Sequence, residues 1–226
     1  MLLTKQVDRP KRKKPAERYL LPAELAAFLS VRVSLGESIA RDLLVDTGLR
    51  ASELCALTWG DLRELDGMTT AAVIVKGGTA AQVPISKAMS AALVDWRLHL
   101  EIPDPAEHVL ISPTSVPYTR TSLGQLIARI GNRAGINRVP VRPHIIRHTL
   151  NIIRRRAKID PVTRSRLLTH TNLNSLHHYE HALDGELAAA REQQREGLRE
   201  YLQQYLSDYV PRLSAAPSET PPKPLN

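Results

Sequence analysis

His144 and Arg147 stand three residues apart, directly after Pro143. On a helix that spacing places both on one face, and a proline at the helix start sets the face at the positive N-terminal end, where an anion is favoured. Arg50 lies in the run Asp46-Thr47-Gly48-Leu49-Arg50-Ala51-Ser52-Glu53-Leu54, and Lys76 sits at the tip of a hairpin, Val75-Lys76-Gly77-Gly78, from which a lysine can swing into a groove. Planar guanidiniums hold anionic oxygens bidentately where point charges do not, so these residue types suit phosphate chemistry. Taken singly, each has a plainer reading: Arg50 paired with Glu53, Lys76 an ordinary turn lysine, His144 a helix-start residue and Tyr179 a half-buried packing residue. His144, His148, His170, His177, His178 and His181 also suggest a metal cluster, yet no carboxylate–histidine ligand motif accompanies them. His148 reads instead as an orienting or core histidine.

The charge distribution points to the anion. The chain has 226 residues and a formal net charge of +8, but the charge is segregated. Residues 1–20 carry a net +5, 21–115 a net −5, 116–170 a net +11 with Asp160 as their sole acid, and 171–226 a net −3. Such blocks are the footprint of a polyanion-binding protein, and nucleic acid is the expected partner. An anionic membrane surface would explain residues 9–14 but not an arginine-rich helical stretch. The run Arg154-Arg155-Arg156 wraps around a helix, so part of it is expected to face the polyanion and the rest solvent. With Cys55 as the single cysteine, no intrachain disulfide and no multi-thiolate zinc finger can form, and a reducing cytoplasm, in association with the nucleoid, is the expected compartment. The N-terminus has no signal-peptide core, and no apolar run is long enough to span a bilayer.

The elements that must position these residues follow from periodicity and punctuation. Residues 1–17 lack apolar periodicity and hold Pro10 and Pro15 among charges, which predicts a disordered basic arm. Helices are expected from Pro22, over Ile39–Val45 ending before Gly48, and over Ser52–Trp59. Three short β-leaning runs, Leu62–Leu65, Ala71–Val75 and Gln82–Ile85, are divided by Asp66-Gly67 and Lys76-Gly77-Gly78 and predict a three-stranded antiparallel sheet. Helices resume at Ser90–Leu100, Ser122–Ala134, Pro143 to about Ala157, Pro161–Leu168 and near Asn174 to Tyr179. Glu186–Tyr209 is a polar helix with a broken apolar stripe, able to pack on its own domain or on a neighbour. Residues 211–226 read as a disordered proline-rich tail.

Four segments carry a family resemblance. The Arg50 run, continued by Leu57, Trp59 and Asp61, resembles the T-G-L-R-x-S-E-L-x-x-L-x-W-x-D motif of the tyrosine recombinase (phage integrase) family. Val75-Lys76-Gly77-Gly78 with Val83-Pro84-Ile85 is similar to its G-K-G hairpin, His144-Ile145-Ile146-Arg147-His148-Thr149 to H-x-L-R-H-T, and Leu167-Leu168-Thr169-His170 with Tyr179-Glu180-His181 to L-G-H followed by Y-x-H. The motifs occur in the family's order and cover residues 18–185. The resemblance implies a mainly α catalytic domain with one small antiparallel sheet. It assigns Arg50 and Arg147 to the scissile phosphate, Lys76 and His144 to proton transfer, His170 to a supporting hydrogen bond and Tyr179 to nucleophilic attack. It further implies site-specific cutting and rejoining of DNA through a 3′-phosphotyrosyl link, in integration, excision, inversion or resolution. No metal, cofactor or ATP is expected. Four protomers on two DNA sites are implied, with accessory DNA-binding proteins as candidate partners and the helix in 186–210 as the candidate for docking in trans. The alternatives are a topoisomerase IB-like nicking-closing enzyme and a catalytically silent DNA-binding regulator. Thr169 replaces the motif's glycine, Thr79 and Ala81 stand where lysine and arginine are usual, and residues 1–17 hold no counterpart of the family's core-binding domain.

Overall fold

The computed structural model describes residues 19–65, 68–75, 78–168 and 184–203. The expected arm, the tail, the helix near 174–179, and the site candidates Lys76, His170 and Tyr179 lie outside the described residues. Within them the chain runs α1 (Pro22–Ser30), α2 (Leu35–Thr47), α3 (Ala51–Ala56), β1 (Leu62–Leu65), β2 (Met68–Ile74), β3 (Ala80–Pro84), α4 (Lys87–His99), α5 (Arg120–Arg133), α6 (Pro143–Arg156), α7 (Pro161–Leu167) and α8 (Asp184–Leu202). The mainly helical architecture with one small sheet agrees with the sequence expectation.

Local chemistry sets where these helices start. Proline occupies the first position of α1, α6 and α7, where its missing N–H costs nothing. Asp160 caps α7 by accepting from Val162 N–H at 2.9 Å and Thr163 N–H at 3.0 Å. Helix α2 stops at Gly48, whose left-handed backbone (φ 68°, ψ 21°) lets its N–H return to Leu44 O at 2.9 Å.

The strands form an antiparallel sheet in the order β1-β2-β3, with Leu62 opposite Ala71 and Ala71 opposite Val83. Its inner face buries Ala71, Val73 and Val83, while Ile74 points to solvent. Helix α3 is shorter than expected. Leu57 leaves it to accept Val109 N–H at 2.9 Å, and Trp59 N–H donates to Glu107 O at 3.0 Å. The long loop after α4 therefore takes the backbone groups that another helical turn would have used.

A single large core joins Leu25 and Phe28 of α1, Leu43 and Leu44 of α2, Leu54, Ile127, Ile146 and Leu150 to the sheet. Helix α8 contributes Leu198, Tyr201 and Leu202 to the same core, and the Tyr201 hydroxyl donates to Leu20 O at 2.9 Å. Within the single chain, α8 thus packs on its own domain, one of the two placements the sequence leaves open. Gly197 allows the close approach: a Cβ there would lie 2.8 Å from Cβ of Ala157, the residue that ends α6.

Candidate active site

The turn at Gly48 joins two helices and carries the first cation of the site. Arg50 is the N-cap of α3, and Glu53, three residues on, bonds back to it twice. Glu53 Oε2 accepts the Arg50 backbone N–H at 2.9 Å and Oε1 accepts Arg50 Nη1 at 2.6 Å. The Glu53 side chain is buried, whereas a third of the Arg50 side chain is exposed. The plain reading of Arg50 as a helix-pair residue is therefore met, and a third of its side chain stays accessible beside the pair. The pair fixes the stem and leaves part of the guanidinium facing a cleft.

Arg147 reaches the same turn from α6. It is 7% exposed, its Nη1 donates to Gly48 O at 2.6 Å, and its Nη2 donates to Leu168 O. Burial pushes its pKa down to about 10; the positive charge of Arg50 adds to the depression and the Glu53 carboxylate opposes it. At neutral pH the guanidinium is still charged, and its hydrogen-bonding partners are carbonyls. A carbonyl orients a guanidinium without cancelling its charge, so a positive potential remains for an incoming anion.

Both arginines line one open cleft of about 610 Å³ with Leu49, Ala51 and Leu168. His144 and His148 line it too, His144 exposed on the first turn of α6 and His148 half-buried one turn further on. The spacing argument for His144 and Arg147 therefore holds in three dimensions: both face the cleft near the N-terminal end of α6. The structure thus brings together Arg50, His144 and Arg147. Lys76, His170 and Tyr179 are outside the described residues.

Three further residues reach the cleft that sequence reasoning did not single out: Arg120 at the start of α5, Arg142 at the N-cap of α6, and Asn151. The two arginines showed only as part of the net +11 of residues 116–170, and neutral Asn151 left no signal in the charge at all. The expectation for the Arg154–Arg156 run needs correction at its first member. Arg155 and Arg156 are exposed, but Arg154 is wholly buried and bonds to Thr47 O and Gln194, so it faces neither a polyanion nor solvent.

Residues 24–186 match the pattern of the Phage integrase family. The chain belongs to that family of tyrosine recombinases. A curated relative, tyrosine recombinase XerC of Bacillus pumilus (strain SAFR-032), is 30% identical over 189 residues, which is 77% of this chain and 60% of the relative. The chain thus spans about three-fifths of that relative's length. Among solved structures, the integrase from mycobacterium phage Brujita shares the fold with a TM-score of 0.59 at 23% identity, covering 92% of this chain and 65% of that one. XerH site-specific recombinase bound to its difH substrate in a pre-cleavage complex gives a TM-score of 0.58 at 23% identity, covering 70% and 48%. In this phage integrase family member, the Arg50 and Arg147 motifs are thus the segments that meet at the Gly48 turn.

Proposed function

We propose that this chain cuts and rejoins double-stranded DNA at specific sites through a covalent 3′-phosphotyrosyl intermediate. The observation that carries the reading is that Arg50 and Arg147, from motifs almost a hundred residues apart, are tied to one turn and open onto one cleft with His144. In the reaction the Tyr179 oxygen attacks the scissile phosphorus and the bond to the 5′ oxygen breaks. Negative charge grows on the two non-bridging oxygens, and the Arg50 and Arg147 guanidiniums stabilise it there. The tyrosine proton passes to a base at the site, with His144 in reach of the cleft, and Lys76 gives a proton to the departing 5′ oxygen. His170 supports the phosphate with a hydrogen bond. The freed 5′ hydroxyl of a partner strand then attacks the phosphotyrosine, the bond from phosphorus to the Tyr179 oxygen breaks, and the tyrosine leaves and regains its proton, so the bond energy is conserved without ATP. Membership of the family supports four protomers acting on two DNA sites, with Arg120 and Arg142 following the backbone beside the scissile phosphate.

The test mixes the protein with supercoiled DNA flanking its own gene, quenches with detergent and sequences the DNA that stays attached. A discrete adduct is expected from wild type, none from Tyr179→Phe, and DNA affinity within a few-fold for both. Binding without any wild-type adduct would instead indicate a regulator that keeps the fold without the reaction.

A further inference from the structure

Helix α2 ends at Thr47, and its last carbonyls lose their partners within the helix. Side chains from two other helices take them. Arg154 Nη2 of α6 donates to Thr47 O at 2.9 Å, and Gln194 Nε2 of α8 donates to Asp46 O at 3.0 Å. Arg191 of α8 donates through Nη1 to Asp46 O and, at 3.4 Å, to Thr47 O. Gln194 Oε1 joins them by accepting from Arg154 Nε at 2.5 Å and Arg191 Nη1 at 3.0 Å.

This network is costly as a way to fill a core. Arg154 is 0% and Arg191 1% exposed, and among the described residues neither forms an ion pair within 4.0 Å. Arg154 Nη1 and Arg191 Nε and Nη2 have no hydrogen-bond partner there either. Apolar side chains of similar volume commonly serve stability as well as buried ionic groups or better. What the guanidiniums provide is the placement of three successive peptide units. Arg154 and Arg191 hold residues 46 and 47 from behind, and Arg147 holds Gly48 from α6. The contact is immediate, since a Cβ on Gly48 would lie 3.2 Å from Arg154 Nη2. Arg50 follows two residues later. On the other side, α8 begins at Asp184, five residues after Tyr179 in the sequence.

We propose that Arg154, Arg191 and Gln194 are positioning residues that set the Arg50–Arg147 clamp, so that cleavage depends on α8 being seated against the end of α2. The inference rests on the phosphodiester-cleavage reading and adds that α8 controls it.

The test uses the full chain with Arg191→Met and Gln194→Met, and Arg191→Lys as the conservative variant. The DNA probe is a nicked duplex bearing the sequence recovered from the covalent adduct. In Arg191→Met, adduct formation at saturating DNA is expected to fall by roughly tenfold or more, with DNA affinity within about threefold and part of the rate regained in Arg191→Lys. Amide hydrogen exchange is expected to speed up over residues 48–54 but not in α5. A folded Arg191→Met with wild-type cleavage and wild-type exchange would overturn the proposal, as would a lowered melting temperature with an unchanged rate. If Arg191→Met does not fold, the same readouts on Gln194→Met decide. If wild type forms no adduct, the cleavage reading fails on its own, and exchange over residues 48–54 still decides whether α8 positions the turn.

Discussion

Arg50 and Arg154 approach the Gly48 turn from opposite sides, and the same side chain has opposite surroundings there. On the cleft side, Arg50 keeps a third of its side chain exposed and is steadied by the buried Glu53 carboxylate. On the core side, Arg154 is sealed off and its charge is directed at one backbone carbonyl and one side-chain amide. Arg147 lies between them, buried yet lining the cleft, bonded to Gly48 O and carrying a pKa pulled down to about 10. A guanidinium can therefore serve as a ligand or as a fastener, and what separates the two is access to solvent. A cation meant for an anion must keep a path to it, while one that organises backbone is best left where no anion can compete.

Removing the cleft-side charge has the largest expected effect. Arg50→Ala or Arg147→Ala is expected to slow single-turnover adduct formation by roughly 10² to 10³, and a loss below tenfold would undo the clamp. The turn itself comes next. Gly48 has φ 68°, and a Cβ would press on Leu150 Cδ1 at 3.1 Å and Arg154 Nη2 at 3.2 Å. Gly48→Ala is therefore expected to cost about 1–3 kcal/mol in denaturant unfolding, and an unchanged midpoint would mean that the turn does not need its left-handed geometry.

Arg120 and Arg142 extend the contrast, because they line the cleft and are exposed. Replacing either with alanine is expected to reduce the slope of log affinity against log salt by about 0.9, whereas Arg154→Met, on the core side, is expected to leave that slope alone. The smallest effect is in pH. The depressed pKa of Arg147 means that the folded chain sheds this proton before the unfolded chain does. As pH rises through about 10, cleavage is expected to fall because the clamp loses charge. Over the same range and upward toward the ordinary arginine value, stability gains from this group, since a buried cation has become neutral. A pH–rate profile and a pH–stability profile moving together there would contradict the assignment.

The two sides of the turn also differed in how far the sequence revealed them. Helix starts at Pro22, Pro143 and Pro161, the strand Leu62–Leu65 and the break at Gly48 were all readable, because proline, glycine and alternation act locally. The other strands were readable only in outline: β2 runs Met68–Ile74 rather than 71–75, and β3 Ala80–Pro84 rather than 82–85, since pairing across the sheet sets their ends. Arg50, His144 and Arg147 were visible because their neighbours form motifs. Arg191 and Gln194 were not, because they bond to carbonyls of residues 46 and 47, more than 140 positions away, and any sequence offers a carbonyl at every position. Arg154 was misplaced for the same reason: its neighbours Arg155 and Arg156 are exposed, and only the packing of α8 over α6 decides that Arg154 is not.

In the proposed reaction the phosphate held by Arg50 and Arg147 becomes bonded to Tyr179. The most direct measurement is to quench the reaction on supercoiled DNA flanking the gene, trim the attached strand with nuclease, digest with trypsin and locate the added nucleotide by mass spectrometry. The account predicts a nucleotide mass on the peptide containing Tyr179, cleanly assigned to that residue. A nucleotide on any other residue, or an attached strand without one on Tyr179, would contradict it.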